Sequence, residues 1–183
     1  MAEEGKKKSK FVKNLKYYVL ALVVMLFLIK LNKTVFFIFL FSIAAYILKY
    51  IRGMFGLKVV VLDTLHFSAI MLAKFIGIKE AIIFVAINTL AIDFVTFIAS
   101  DGTFANFFFY SVSTAAAVAI FGNAPMILYG SIAALMYSVL YFIYRTVIIQ
   151  NPPFDVISKC ITSFIFTFLY ISFLGPLFAL IMA

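Results

Sequence analysis

LDTLHFSAIMLAKFIGIKEAIIFVAINTLAIDFVTFIASDG, residues 62–102, is apolar almost throughout and is interrupted near its middle by Gly77-Ile78-Lys79-Glu80. The stretch reads as two apolar helices, 59–77 and 78–100, joined by that short polar turn. It also carries Asp63, His66, Glu80, Asp93 and Asp101, a large share of the few groups in the chain capable of ionic chemistry. Asp93 stands thirteen residues from Glu80 and eight from Asp101, which puts it well inside the second helix. If that helix spans a bilayer, an ionisable side chain at its centre costs about 2.5–3.5 kcal/mol on insertion scales, so it is expected to face a partner or a wet cavity.

Composition agrees with a bilayer as solvent. The chain is 66% hydrophobic and 12% charged, with a mean hydropathy of +1.18; soluble domains run near 45–50% apolar and about 25% charged. At 183 residues it can supply six or seven spans of about 20 residues with short loops. The expected fold is therefore all-α, a polytopic integral membrane protein of six to seven transmembrane helices. A basic cytoplasmic tail, 1–16, precedes one helical membrane domain, 17–183. Strands are not expected, because the apolar runs are continuous rather than alternating.

Outward from the central hairpin, Lys30 and Lys33 interrupt the apolar region 11–48, which reads either as two spans or as a hairpin that enters and returns. Arg52-Gly53-Met54-Phe55-Gly56-Leu57-Lys58 is a basic, glycine-bearing break. Asp101-Gly102-Thr103 reads as a turn, and 103–121 as the next span. Gly122-Asn123-Ala124-Pro125 closes it, and a long helix follows over 126–149. Two prolines in Gln150-Asn151-Pro152-Pro153-Phe154-Asp155 mark a loop, and Gly175-Pro176 is expected to kink the last span, 156–183.

The net charge of +8 is concentrated in MAEEGKKKSKFVKNLK, where six lysines precede the first apolar run. That reads as a signal holding the N-terminus in the cytoplasm, or as a tail that meets anionic lipid or a partner. A seven-span chain with its N-terminus inside places eleven Lys and Arg in the cytoplasm and four outside. A cleaved signal peptide is not expected. Nucleic acid is not an expected partner, because the basic residues do not continue onto a folded surface. Cys160 and His66 are each the only residue of their kind, which argues against a disulfide, a cysteine-rich cluster or a multi-histidine metal centre. No metal or cofactor is expected. Nucleotide-binding loops, GxSxG and HExxH are absent, so an enzyme is not expected.

Several helices carry polar stripes. Thr89, Asp93, Thr96 and Ser100 are spaced along one side of a helix, as are Asn106, Tyr110 and Ser113. Further stripes are Ser131, Ser138 and Arg145, with Tyr137, Tyr141 and Tyr144 beside them, and Ser163, Thr167 and Tyr170. Such hydroxyls either bond to their own helix carbonyls or converge on a polar interior. Asp63 and His66, three residues apart near one membrane face, form either a local polar pair or a pH-responsive, ligand-contacting one. Arg145 is expected to reach the headgroups or, turned inward, to hold an anion. The candidate solute-binding set is thus Asp63, His66, Thr89, Asp93, Thr96, Asn106, Tyr110 and Arg145.

Leu62-Asp63, Gly77, Asp93 with Asp101, the alanine-rich run closing on Gly122, the long helix from Gly130 to Arg145 and Gly175-Pro176 together resemble the substrate-binding (S) components of energy-coupling-factor vitamin transporters. They are similar also to the rod-shape-determining membrane protein family. The first resemblance implies a cell-membrane subunit that binds a small-molecule solute and works with membrane partner subunits and a separate ATPase. Two other readings stay open: a non-catalytic assembly or scaffold subunit of a larger membrane complex, and a small ion-coupled carrier or channel using Asp93.

Overall fold

A computed structural model describes residues 32–54, 64–91 and 101–182. The described residues form helices, with no strand among them. In chain order these are α1 (Lys33–Met54), α2 (Leu65–Phe75), α3 (Ile78–Ala86), α4 (Asp101–Phe121), α5 (Met126–Ile143), α6 (Pro153–Phe173) and α7 (Gly175–Met182). Wider π-helical turns extend α3 over Ile87–Ala91 and α5 over Tyr144–Ile148. Three helices among the described residues are long and apolar enough to cross a membrane: Gly102–Phe121, Met126–Ile148 and Pro153–Phe173.

The chain divides into two units, Met1–Phe37 and Ile38–Ala183. In the first, Asn32 caps the start of α1, its Oδ1 accepting the Val35 N–H at 3.2 Å. Phe36 and Phe37 meet edge to face at 5.2 Å.

Within the second unit α2 is the central element. It packs against α3, α4, α5, α6 and α7, and every residue from 65 to 73 is buried. Its sequence has no polar face to turn to a solvent, and Ala69 and Ala73 let neighbouring backbones come close. An aromatic cluster locks it to its surroundings. Phe67 of α2 lies 6.3 Å from Phe41, 6.1 Å from Phe178 and 5.9 Å from Tyr170, and Phe41 lies 5.0 Å from Phe178 and 6.5 Å from Phe84. Lipid tails are as apolar as these rings, so the cluster stabilises through dispersion and shape rather than by transfer from water. The Asn88 amide adds a polar link, its Nδ2 donating to Ser42 Oγ at 2.8 Å and to the Phe84 carbonyl at 2.9 Å.

Two expected turns are shorter than the sequence suggested. Ile78, Lys79 and Glu80 belong to the first turn of α3, leaving Ile76 and Gly77 as the connection. Asp101, Gly102 and Thr103 likewise open α4 instead of forming a turn. In both places an acidic residue sits in the first helical turn, where it complements the helix dipole and favours continuing the helix. The loop Gly122–Pro125 and the break before Pro176 lie where the sequence placed them. Pro176 has no N–H to donate to Ser172, so the helix interrupts at Leu174 and restarts as α7.

The end of the α5 extension carries a backbone exception. Gln150 has φ 59°, the left-handed conformation that usually falls to glycine or asparagine after a helix. It lets the Asn151 N–H reach the Arg145 carbonyl at 2.9 Å. Gln150→Gly should therefore raise stability by roughly 0.5–1 kcal/mol, read as a higher midpoint of unfolding in detergent. A lower midpoint would mean that the glutamine side chain contributes more than its conformation costs.

Candidate functional site

The polar interior is built where α2, α4 and α5 meet. His66 stands in the first turn of α2, within its buried stretch 65–73, and is 2% exposed. Its Nε2 lies 3.2 Å from Ser113 Oγ of α4. The imidazole is flanked by Tyr110 of α4, ring centres 5.1 Å apart, and by Tyr137 of α5 at 4.9 Å. The two tyrosines stack on each other at 4.4 Å with an interplanar angle of 8°. Tyr110 and Ser113, three apart on α4, share a helix face, which is why both reach one histidine.

Ser113 Oγ also lies 3.2 Å from the Tyr110 carbonyl. In the arrangement in which the single Ser113 proton goes to that carbonyl, the hydroxyl oxygen accepts from His66 Nε2–H and Nδ1 presents a lone pair. Nδ1 is buried and has no hydrogen-bond partner. Two residues to either side of His66, Thr64 Oγ1 and Ser68 Oγ are also buried without partners, and so is Thr114 Oγ1 beside Ser113. Buried polar atoms are nearly always paired, so the unpartnered Nδ1 marks a place suited to a polar guest. That arrangement calls for a hydrogen-bond donor at Nδ1.

The other predicted site residues fall in three groups. Asp63, Asp93 and Thr96 lie outside the described residues. Thr89 is buried, but its hydroxyl donates to the Val85 carbonyl of its own helix at 2.6 Å; Ser131, Ser138 and Thr146 bond back to their helices in the same way. Asn106 is half-buried one turn before Tyr110, with a buried Oδ1 that has no partner, and so extends the polar line along α4. Arg145 belongs to a separate place. Its guanidinium lies 5.4 Å from the Tyr141 ring and 6.0 Å from the Tyr144 ring, about two helical turns beyond Tyr137 along α5.

The sequence read His66 with Asp63 as a polar pair near one membrane face; the structure encloses His66 among α2, α4 and α5, with Ser113 beside it. Ser113 and Tyr137 were visible as members of polar stripes, but which stripe meets the histidine is a matter of helix packing. At the other end of α2, Lys74 donates to the carbonyls of Gly122, at 3.2 Å, and Ala124, at 2.6 Å, and lies 4.8 Å from the Tyr129 ring centre. His66 faces Tyr137, and Lys74, eight residues later, faces Tyr129, eight residues earlier: α2 and α5 run antiparallel, pinned at both ends. Among the described residues no group of three His, Cys, Asp or Glu side chains could hold a metal ion. Comparison of the chain with protein-family models, with curated proteins and with solved structures finds no match.

Proposed function

We propose that this chain is a six-to-seven-span cell-membrane subunit, its N-terminus in the cytoplasm, that binds a small solute between its helices. On this reading it works with membrane partner subunits and a separate ATPase, as an S component does, since it has no nucleotide-binding sequence of its own. The observation that carries the reading is the His66 imidazole, held by Ser113 and the Tyr110–Tyr137 stack, with its Nδ1 acceptor unpaired in an apolar interior. A structural histidine would satisfy both nitrogens from the protein.

The test is native mass spectrometry of the full chain extracted gently from its own membranes. The expected result is a bound small molecule and co-purifying ATPase subunits. Replacing the histidine, His66→Phe, keeps an aromatic ring but removes the acceptor, and should lower the bound fraction about tenfold. His66→Asn, which restores an acceptor, should recover part of it. Equal occupancy in His66→Phe would remove this site from the reading, and a bare chain accompanied only by large membrane proteins would favour the scaffold subunit.

A further inference from the structure

At the end of the bundle remote from Lys74, the start of α4 lies beside the end of α5, since the two helices are antiparallel neighbours joined by residues 122–125. Phe104, Ala105, Phe108 and Phe109, one and four apart on one face of α4, line an open groove of about 470 Å³ with Tyr144. Phe109 and Tyr144 close one wall edge to face at 5.4 Å. The groove is apolar and shallow and opens on the side of a span, Phe104 and Phe108 being exposed.

What distinguishes this recess from the general apolar surface is the cation beside it. Arg145 follows Tyr144 directly and lies within cation–π distance of both Tyr141 and Tyr144. Its Nε is buried without a hydrogen-bond partner. The π-helical turn Tyr144–Ile148 sets the two side chains, and such turns recur at functional sites. Arg145 stands three residues before the end of the span Met126–Ile148, the depth at which tyrosines and arginines meet lipid headgroups. A guanidinium there offers a fork of N–H donors matched to a phosphate.

We propose that the groove binds one anionic phospholipid, an acyl chain lying along Phe104, Phe108 and Phe109 and the phosphate resting on Arg145. The preference is for net negative charge, because the choline of a zwitterionic lipid would bring a second cation toward the guanidinium. This site is separate from the one at His66 and stands whether or not that one holds a solute.

Native mass spectrometry of the full-length chain in detergent, offered equal amounts of phosphatidylglycerol and phosphatidylcholine, tests it. One phosphatidylglycerol should be retained with about tenfold preference or more. Arg145→Gln should reduce that preference to near unity, and Ala105→Phe, which fills the groove and leaves the arginine in place, should lower retention of both lipids. Unchanged circular dichroism shows that each variant is folded. Equal retention of the two lipids by the unmodified chain would overturn the proposal. So would a preference that survives Arg145→Gln, which would assign it to the lysine tail, or Ala105→Phe retaining lipid like the parent. Displacement of the bound lipid by inorganic phosphate would also overturn it, as the headgroup alone would then account for binding.

Discussion

Gly130→Leu is expected to destabilise the bundle by at least about 3 kcal/mol, at the upper end of overpacking costs. Gly130 is buried on α5 where that helix meets α6. A Cβ at this position would stand 2.5 Å from Ile171 Cδ1, 3.1 Å from its Cγ1 and 3.3 Å from its Cγ2. Ile171 is fully buried, so its side chain has nowhere to retreat. In a water-soluble protein the added leucine would regain part of the loss by leaving water. In a bilayer it gains nothing of the kind, because the separated helices already sit in a medium as apolar as the core. The collision is with one side chain and can be relieved there. Ile171→Ala removes all three of the atoms involved and by itself should cost about 2–5 kcal/mol through the cavity it leaves. The double variant should then be more stable than the sum of the two losses by about 1–3 kcal/mol, measured as unfolding midpoints in mixed micelles. Additive losses would mean that Gly130 matters for its backbone and not for the space it leaves to Ile171.

The same physics explains how much could be read from the chain. Proline and glycine punctuate regardless of solvent, so the loop at Gly122–Pro125 and the break before Pro176 were legible, whereas α6 starts at Pro153, inside the expected loop 150–155 and three residues before the expected span. Span length follows from hydropathy, and the expected helix 103–121 is observed as Gly102–Phe121. Helix orientation was not legible. In water, an amphipathic pattern tells which face is inside; in α2 every side is apolar, and in a membrane both the core and the lipid are too. Nothing in residues 65–75 announces that this helix is central while α4, α5 and α6 are peripheral. That is why His66 reads as an interfacial residue in the sequence and is enclosed in the structure. The polar stripes were a better guide: Asn106, Tyr110 and Ser113 do mark the inward face of α4. Thr89 belongs to a stripe as well, but its hydroxyl is spent on its own helix, a distinction that spacing alone cannot make.

Lys74→Met should cost about 2–3 kcal/mol. The ammonium makes two charge-assisted bonds to the carbonyls of Gly122 and Ala124 and lies over the Tyr129 ring. Hydrogen bonds to a charged group are worth roughly 1.5–3 kcal/mol each and the ring contact about 0.5–2. Lys74 is half-exposed, so the three together deliver well under their sum, with some loss to solvent screening. Methionine keeps the length and apolar stem of the side chain and leaves the two carbonyls unpaired. Arginine keeps donors and the ring contact, and Lys74→Arg should retain more than half of the stabilisation. Tyr129→Phe separates the ring from its hydroxyl. That hydroxyl is buried with no hydrogen-bond partner, so its removal should leave stability unchanged or raise it by up to about 1 kcal/mol, while the face offered to Lys74 persists. A Lys74→Met variant within about 0.5 kcal/mol of the parent, inside the range of ordinary surface substitutions, would show that the clasp is incidental. The clasp also bears on the solute site. Lys74 holds the α4–α5 connection against the end of α2, and so fixes the register in which Tyr137, eight residues further along α5 from Tyr129, meets His66. Loosening it should weaken solute binding without touching any residue of the site, and restoring the charge with arginine should restore binding and stability together.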